Sequence, residues 1–467
     1  MLSKITTMKK LFFFFLFPFV LDSYSQDSST VKPKIPFEGF DLTWINGQNR
    51  QTNFPLTLND KKTGETILTG VALLDTYYDY NFANPIDNTQ TISASEGRAN
   101  EFTLNLATVG LETYYKNMIG RIWLQYGQMG AIIQDQDASI NRGRNTNITN
   151  LKYIREAAAG YHFDKWYGIN FEMGIFMSYI GLESYMTQEN WCYQRSLPCD
   201  FTPFYFSGAR VQAYPTKKYK TEVWVLNGWQ SYNGFAKGPG FGWSNYVRPN
   251  ENVQLVANFY YSHDSQYMDT LGTTSHRYRF HHDNSAVVRY YHNKESKGLS
   301  QAAFSFNSHY GFQSNNQKND TLDRKHNFFT GISVANRLWF LKNKLALTLR
   351  GDYVNNQSVV NSVNTQPYLG FTPAAQGTVP NDYDIALAQN KKLEVSQFTT
   401  TFDIMPNDHV TFRLEYVHRE STIPYFAGHG GTTSPSGYTN GPQTMIPWKP
   451  DLKTHEDRIT VAVNFRL

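Results

Sequence analysis

The sequence predicts an all-β fold, a transmembrane antiparallel β-barrel of about 16 strands with short periplasmic turns and long external loops. Three observations predict it. The 467-residue chain closes on a strand of strict alternation, Ile459 to Leu467, with odd positions apolar and even positions polar or small. Such a strand is long enough to cross a bilayer when tilted, since ~9–11 residues suffice, and it can pair with the first strand to leave no edge. Similar alternating segments recur along the chain, and long and short connections between them largely alternate. Aromatic residues make up 16% of the chain, the bias that girdles at two membrane interfaces would require. A sugar-binding secreted β protein could share that composition, and a soluble sandwich the alternation. Neither needs long and short loops to alternate throughout.

The amino-terminal segment points to export. Lys4, Lys9 and Lys10 precede the apolar run Leu11 to Leu21, and Ser23-Tyr24-Ser25 supplies small residues at the two positions a signal peptidase reads. This makes residues 1–25 a secretory signal peptide, with Met8 as an alternative start. The run is too short for a spanning helix, which needs ~20 residues, so a retained anchor is the weaker reading. No cysteine follows it, which leaves a lipid anchor unsupported. Lys and Arg (43) nearly balance Asp and Glu (39), which argues against nucleic acid as a partner. Residues 26–69 read as a leader in which Phe37, Phe40, Leu42 and Trp44 form a short apolar pattern. It could plug the barrel or tether its first strand from the periplasm. The barrel itself is expected over 70–467.

The strands follow in order. Gly70 to Phe82 groups Ala72, Leu74, Tyr78 and Tyr80; Glu101 to Leu111 groups Phe102, Leu104 and Leu106; Ile119 to Gly127 groups Ile122, Leu124 and Tyr126. Lys152 to Phe163 and Gly168 to Tyr179 flank Asp164-Lys165, and Phe204 to Tyr214 and Tyr219 to Trp229 flank Pro215-Thr216-Lys217. Phe241 to Val247 is a weaker candidate. Val253 to Tyr261, Ser285 to Tyr291, Ala302 to Phe312, Phe328 to Leu338, Leu345 to Val354, Val395 to Ile404, Val410 to Arg419 and Ile459 to Leu467 complete the set. An even number lets an antiparallel sheet close with both ends on one side.

Several stretches carry a family resemblance. They are IREAAAGYHFDKW around Arg155 to Trp166, GIFMSYIGLES over Gly174 to Ser184 with Asn190-Trp191, PFYFSGAR over Pro203 to Arg210, LNGWQ over Leu226 to Gln230, RPNENV over Arg248 to Val253, and FHHDNS over Phe280 to Ser285. Together they resemble the OmpL-like outer-membrane β-barrel porins of Gram-negative bacteria, over roughly residues 38–467. The resemblance implies a barrel in the cell outer membrane and a passive pore for small polar solutes. It brings no cofactor and no catalytic residues, so the chain is not expected to be an enzyme. Outer-membrane lipids, the solute and the barrel assembly machinery are the implied partners, with other outer-membrane proteins or copies of the chain beside them.

Parity along each strand assigns charges to the lumen. Arg121, Arg210, Lys220, Arg289, Arg337, Arg350, Arg413 and Arg466 face inward, with Glu172, Glu222, Asp352, Asp403 and Glu415. More cations than anions predicts a mild anion preference; the blander reading is that these groups pair across the wall. Arg155 and Glu156 have small neighbours on both sides, and parity does not place them. Cys192 and Cys199, seven apart in an exported chain, predict a loop-closing disulfide. No metal is expected. Asp135, Asp137, Ser139 and Asn141 alternate like a calcium loop, but Ile140 and Thr146 stand where glycine and glutamate belong. His281, His282 and Asp283 form a cluster expected just before a strand. It could bind a metal or relay protons, though a hydrogen-bonded rim is the commoner outcome. A non-conducting structural barrel is the alternative to the pore. A barrel-embedded hydrolase is the remote third, without a Gly-x-Ser-x-Gly elbow or a phosphate loop to support it.

Overall fold

The computed structural model describes residues 34–90, 95–135, 137, 139, 148–234, 238–268, 274–314, 328–356, 392–431 and 451–467. The signal segment and Asn141 lie outside these residues.

Sixteen antiparallel strands form one closed ring. They are β1 (Thr66–Asn81), β2 (Phe102–Tyr115), β3 (Met118–Tyr126), β4 (Ile154–Phe163), β5 (Ile169–Met177), β6 (Tyr205–Thr216), β7 (Tyr219–Leu226) and β8 (Gly240–Asn250). Then come β9 (Val253–Met268), β10 (Thr274–His292), β11 (Leu299–Ser314), β12 (Phe328–Phe340), β13 (Leu345–Asn356), β14 (Leu393–Ile404), β15 (Val410–Ser421) and β16 (His455–Arg466). Each strand pairs with the next. The ring closes where β16 meets β1, with Ile459 opposite Tyr80 and Phe465 opposite Leu74. The closure satisfies every ladder and leaves no open edge in the bilayer.

The faces alternate as a bilayer demands. Leu74, Tyr80, Leu104, Val109, Ile122, Leu349, Phe398, Ile459 and Val461 are exposed on the outside, while Asp75, Asp79, Gln125, Thr348, Thr401, Thr460 and Asn464 are buried inside. That is the inverse of a soluble protein and follows from hydrocarbon as the outer solvent. Short connections collect at one end. One of the two-residue connections, Lys116-Asn117, has φ of 48° and 65°, the left-handed pair that a hairpin of this length matching strand twist requires.

Several strand ends differ from expectation by up to about four residues, as at Thr66 and His455, and two regions differ in kind. The weak candidate at 241–247 is a full strand, β8, paired on both sides. The stretch left between the expected strands 253–261 and 285–291 is mostly strand, because β9 runs to Met268 and β10 begins at Thr274. His281 and Asp283 therefore sit inside β10, pointing into the lumen. The lipid side there carries His282 and Asn284, so the apolar alternation that marks the other strands fades.

The leader crosses the mouth formed by the short turns. Phe37 N donates to Lys217 O (2.9 Å) at the β6–β7 turn, Trp44 Nε1 to Glu251 O (3.2 Å) at the β8–β9 turn, and Arg50 Nη1 to Asn407 O (2.8 Å) at the β14–β15 turn. Asp41 pairs with Arg289 at 3.0 Å. Thr57–Asn59 then pairs with the start of β1 as a short hairpin.

From the other end, the β5–β6 connection folds into the lumen. Its buried residues Tyr179, Ile180, Leu197 and Phe201 pack on Phe176, Phe206, Trp224, Trp229, Tyr260 and Phe329 of the wall and neighbouring loops. It meets the leader where Trp191, Trp44, Ile45, Trp339 and Met405 cluster, with Trp191 Nε1 donating to Trp44 O at 3.1 Å.

Candidate functional site

The lumen around the inserted loop is the candidate site, and every charged residue assigned to the pore by parity points into it. They divide into three groups by what they touch.

One group forms a ladder on the β3–β7 wall. Arg121 pairs with Glu156 (2.8 Å) and with Glu172, which also takes Arg210 (2.7 Å). Lys220 and Glu222 pair at 2.8 Å, and Gln212 Nε2 also donates to Glu222 at 2.5 Å. The Arg210 guanidinium lies over the Phe176 and Trp224 rings at 4.7 and 5.0 Å.

A second group grips the loop. Arg413 donates to Thr187 O (2.8 Å) and Asn190 O (2.6 Å), and Arg337 to Trp191 O (2.7 Å). Asp403 stands between these two arginines, 2.7 Å from Arg337 and 3.0 Å from Arg413. Arg350 pairs with Asp352 (3.0 Å) on its own strand and with Glu183 (3.1 Å) in the loop, and donates to Gln194 O (2.8 Å). Glu415 accepts from Tyr193 N (2.6 Å) and Gln194 N (2.8 Å). Glu189 of the loop pairs with Arg466 at 2.5 Å. Half of the lumen's charge thus serves as a mould for one loop backbone, which removes the loop's peptide groups from competition with water.

The third group is Arg289 alone, which holds the leader through Asp41 and contacts Glu251 at 3.2 Å.

Between the loop and the β2–β5 wall remains a cavity of about 320 Å³, bounded by Glu112, Trp123, Arg155, Glu156, Glu183, Tyr185, Glu189, Arg195, Phe204 and Arg466. Sequence parity missed its main cations. Arg155 and Glu156 both face inward because β4 carries a bulge: Trp123 pairs with Glu156 and Leu124 with Ile154, so Arg155 is skipped. Bulges re-aim side chains in this way. The signal was present as the ambiguity at Ala157 to Ala159. Arg195, on the loop, was invisible to strand parity.

The acids lining the cavity are partnered. Glu112 accepts from Trp123 Nε1 (2.8 Å), Glu156 takes Arg121, Glu183 takes Arg350 and Ser196 N (2.5 Å), and Glu189 takes Arg466. The arginines are less so. Arg155 stacks on Trp123 at 3.9 Å, reaches Glu156 only at 3.7 Å, and its Nε donates to nothing. Arg195 lies over Phe204 at 4.3 Å and reaches Asp200 at 3.8 Å, with Nε and Nη1 unmatched. Each is about 3% exposed or less. The cavity lining therefore carries two arginines whose charge is only loosely compensated.

The expected Cys192–Cys199 disulfide is not formed; both cysteines are free and buried. The backbone between them is pinned by Glu415, Arg350 and Glu183, and Leu197–Asp200 forms a helical turn that aims Cys199 at Asn307 Oδ1, 3.5 Å away. Cys192 faces Thr401 on β14 instead. Both lie in the inserted loop, outside the spanning strands, and burial pushes each thiol up to about 12. Neither is a thiolate near neutral pH, so neither attacks a disulfide readily. Unfolding without reductant in the presence of iodoacetamide should add two carbamidomethyl groups by mass spectrometry; none would indicate a bridge.

In the loop read as a partial calcium motif, Tyr205 Oη donates to Asp137, and Tyr232 N donates to it at 3.0 Å; Ser139 Oγ lies 3.1 Å from Ser231 Oγ. These groups tie two external loops together. His281 and Asp283 are joined in the lumen wall by His309, all three buried behind the inserted loop.

A family model described as "putative beta-barrel porin-2, OmpL-like" matches residues 68–446. No curated protein matches the chain. Among solved structures, the outer membrane channel DcaP of Acinetobacter baumannii is similar with a TM-score of 0.50 at 10% identity, covering 88% of this chain and 99% of that one. OprB of Pseudomonas putida gives 0.48 at 8% identity, covering 86% and 94%. The trimer form of OmpT of Vibrio cholerae gives 0.46 at 9%, covering 86% and 99%. At 10% identity the likeness to DcaP is one of fold.

Proposed function

This chain belongs to the OmpL-like β-barrel porin family of the outer membrane, and from that premise we propose that it is a restricted passive channel for small polar solutes with a mild preference for anions. The observation that carries the preference is the imbalance in the cavity: its acids are held in close contacts, while Arg155 and Arg195 line it with their nearest ion-pair partners, Glu156 and Asp200, at only 3.7 and 3.8 Å. Loosely compensated positive charge in a channel lining lowers the barrier for an anion and raises it for a cation. The parity residues act mainly through the shape they impose on the loop, and Arg121, Glu172, Arg210, Lys220 and Glu222 line the wall behind it. Lipid on the apolar belt, the assembly machinery at β16 and copies of the chain complete the expected partners.

Reversal potentials across planar bilayers in a potassium chloride gradient test the reading. The native protein should prefer chloride, and Arg155→Gln should move the potential toward potassium. A native preference for potassium would overturn the anion reading.

One observation favours a second reading, a barrel that does not conduct. The leader and the inserted loop meet through Trp44 and Trp191 and occupy much of the lumen. A protein that inserts into bilayers and never opens would establish it.

A further inference from the structure

Three side chains that the channel reading does not use converge on the lumen face of β10 and β11. His281 and Asp283 are two apart on β10 and share a face; His309 on β11 stands directly opposite Asp283. One ligand atom from each lies within 4.8 Å of the others, and all three side chains are buried. His281 Nε2 and His309 Nδ1 are 3.0 Å apart.

Their hydrogen bonds orient them. Asn307 Nδ2 donates to Ser285 Oγ (2.9 Å) and Asn284 O (3.2 Å), which fixes its Oδ1 as an acceptor. That Oδ1 lies 2.7 Å from His309 Nε2, so Nε2 carries the proton and Nδ1 presents its lone pair to the cluster. An outer partner that fixes the tautomer in this way is the usual support of a metal-binding histidine. Asp283 is held on one side only. Its Oδ2 accepts from Asn258 Nδ2 (2.9 Å), and the Gly181 amide of the inserted loop lies near the carboxylate. Its Oδ1 is buried with no hydrogen-bond partner among the described residues. A carboxylate oxygen in that position is costly unless a proton or a cation meets it.

We propose that His281, Asp283 and His309 bind a divalent first-row transition metal, with zinc as the natural probe. Two imidazole nitrogens and a carboxylate oxygen are the donors such ions take, at about 2.0–2.2 Å; the His281–His309 pair at 3.0 Å would open slightly, and the three ligand atoms already lie within 4.8 Å of one another. The metal would satisfy Asp283 Oδ1 and replace the single His–His hydrogen bond. Through Gly181 it would also fasten the inserted loop to the β10–β11 wall. Cys199, whose Sγ would stand 3.0 Å from a Cβ at Gly181, borders the site on the loop side.

Because all three groups are buried, the full chain is refolded with zinc present, freed of loose metal by gel filtration, and measured by inductively coupled plasma mass spectrometry. About one zinc per chain is expected, falling at least tenfold in Asp283→Asn and in His309→Ala. Cobalt in place of zinc should give visible d–d absorption that both variants lose. Heat-modifiable migration on a gel confirms that each variant is folded. Asp283→Asn conserves shape and the place of the Asn258 contact, so it separates metal loss from misfolding. Zinc at background in the folded native protein, or equal zinc in the native protein and both variants, would overturn the proposal. A buried Asp283 that simply carries a proton would give the first of those results.

Discussion

Deletion of residues 34–53 is expected to raise single-channel conductance several-fold in planar bilayers. The segment lies across the mouth and touches turns on opposite sides of the ring, at Lys217, Glu251 and Asn407. Its anchors are few and identifiable: Trp44 in the cluster with Trp191 and Trp339, the Asp41–Arg289 pair, and Arg50 on Asn407 O and Val410 O (2.8 Å each). A barrel of this strand number encloses a lumen wide enough for water, so removing what covers its mouth exposes the remaining constriction. The barrel should survive the deletion, because the strand ladders run without the leader. A point variant supports the reading without deleting chain. Trp44→Ala removes the indole that packs in the leader–loop cluster and donates to Glu251 O, and should give flickering openings of the larger size. If deletion leaves conductance and its noise unchanged, the leader is a tether beside the path and the inserted loop alone sets the pore.

What could be read from the sequence follows from which solvent each face meets. Hydrocarbon demands apolar side chains at every second position, so Ile459, Val461 and Val463 announce their strand without reference to anything else in the chain. The lumen face has no such uniform solvent. Arg413 and Arg337 could be assigned inward by parity, but their partners are the carbonyls of Thr187, Asn190 and Trp191, more than a hundred residues away. Nothing local in the chain states that pairing, and charges that looked like a selectivity ring are largely the mould of a loop. Parity also assumes an unbroken ladder. The bulge at Arg155 breaks it, and that residue became the main cation of the cavity. The cysteine spacing failed for a related reason: distance along the chain constrains a disulfide only when the backbone between is free to bring the two sulfurs together.

Asp403→Asn should be among the most destabilising single changes in the barrel, by about 3–5 kcal/mol. Asp403 is fully buried and is the shared counter-charge of Arg337 and Arg413, which are themselves almost wholly buried. Removing its charge while conserving its shape leaves two guanidinium groups facing each other in a region of low dielectric, with Arg50 close by. The loop suffers as well, because those guanidinium groups hold its carbonyls. Unfolding in urea from lipid vesicles, followed by tryptophan fluorescence, reads the stability; the same protein in bilayers reads the loop as larger and noisier currents. A second change tests the cause. If the loss comes from uncompensated charge, Arg413→Met combined with Asp403→Asn recovers part of it, giving a coupling of more than about 1 kcal/mol between the two sites. If it comes from lost packing alone, the two changes add. A loss below about 1 kcal/mol for Asp403→Asn would mean that water reaches the pair and screens it, and the lumen at that depth would then be wet rather than filled by the loop.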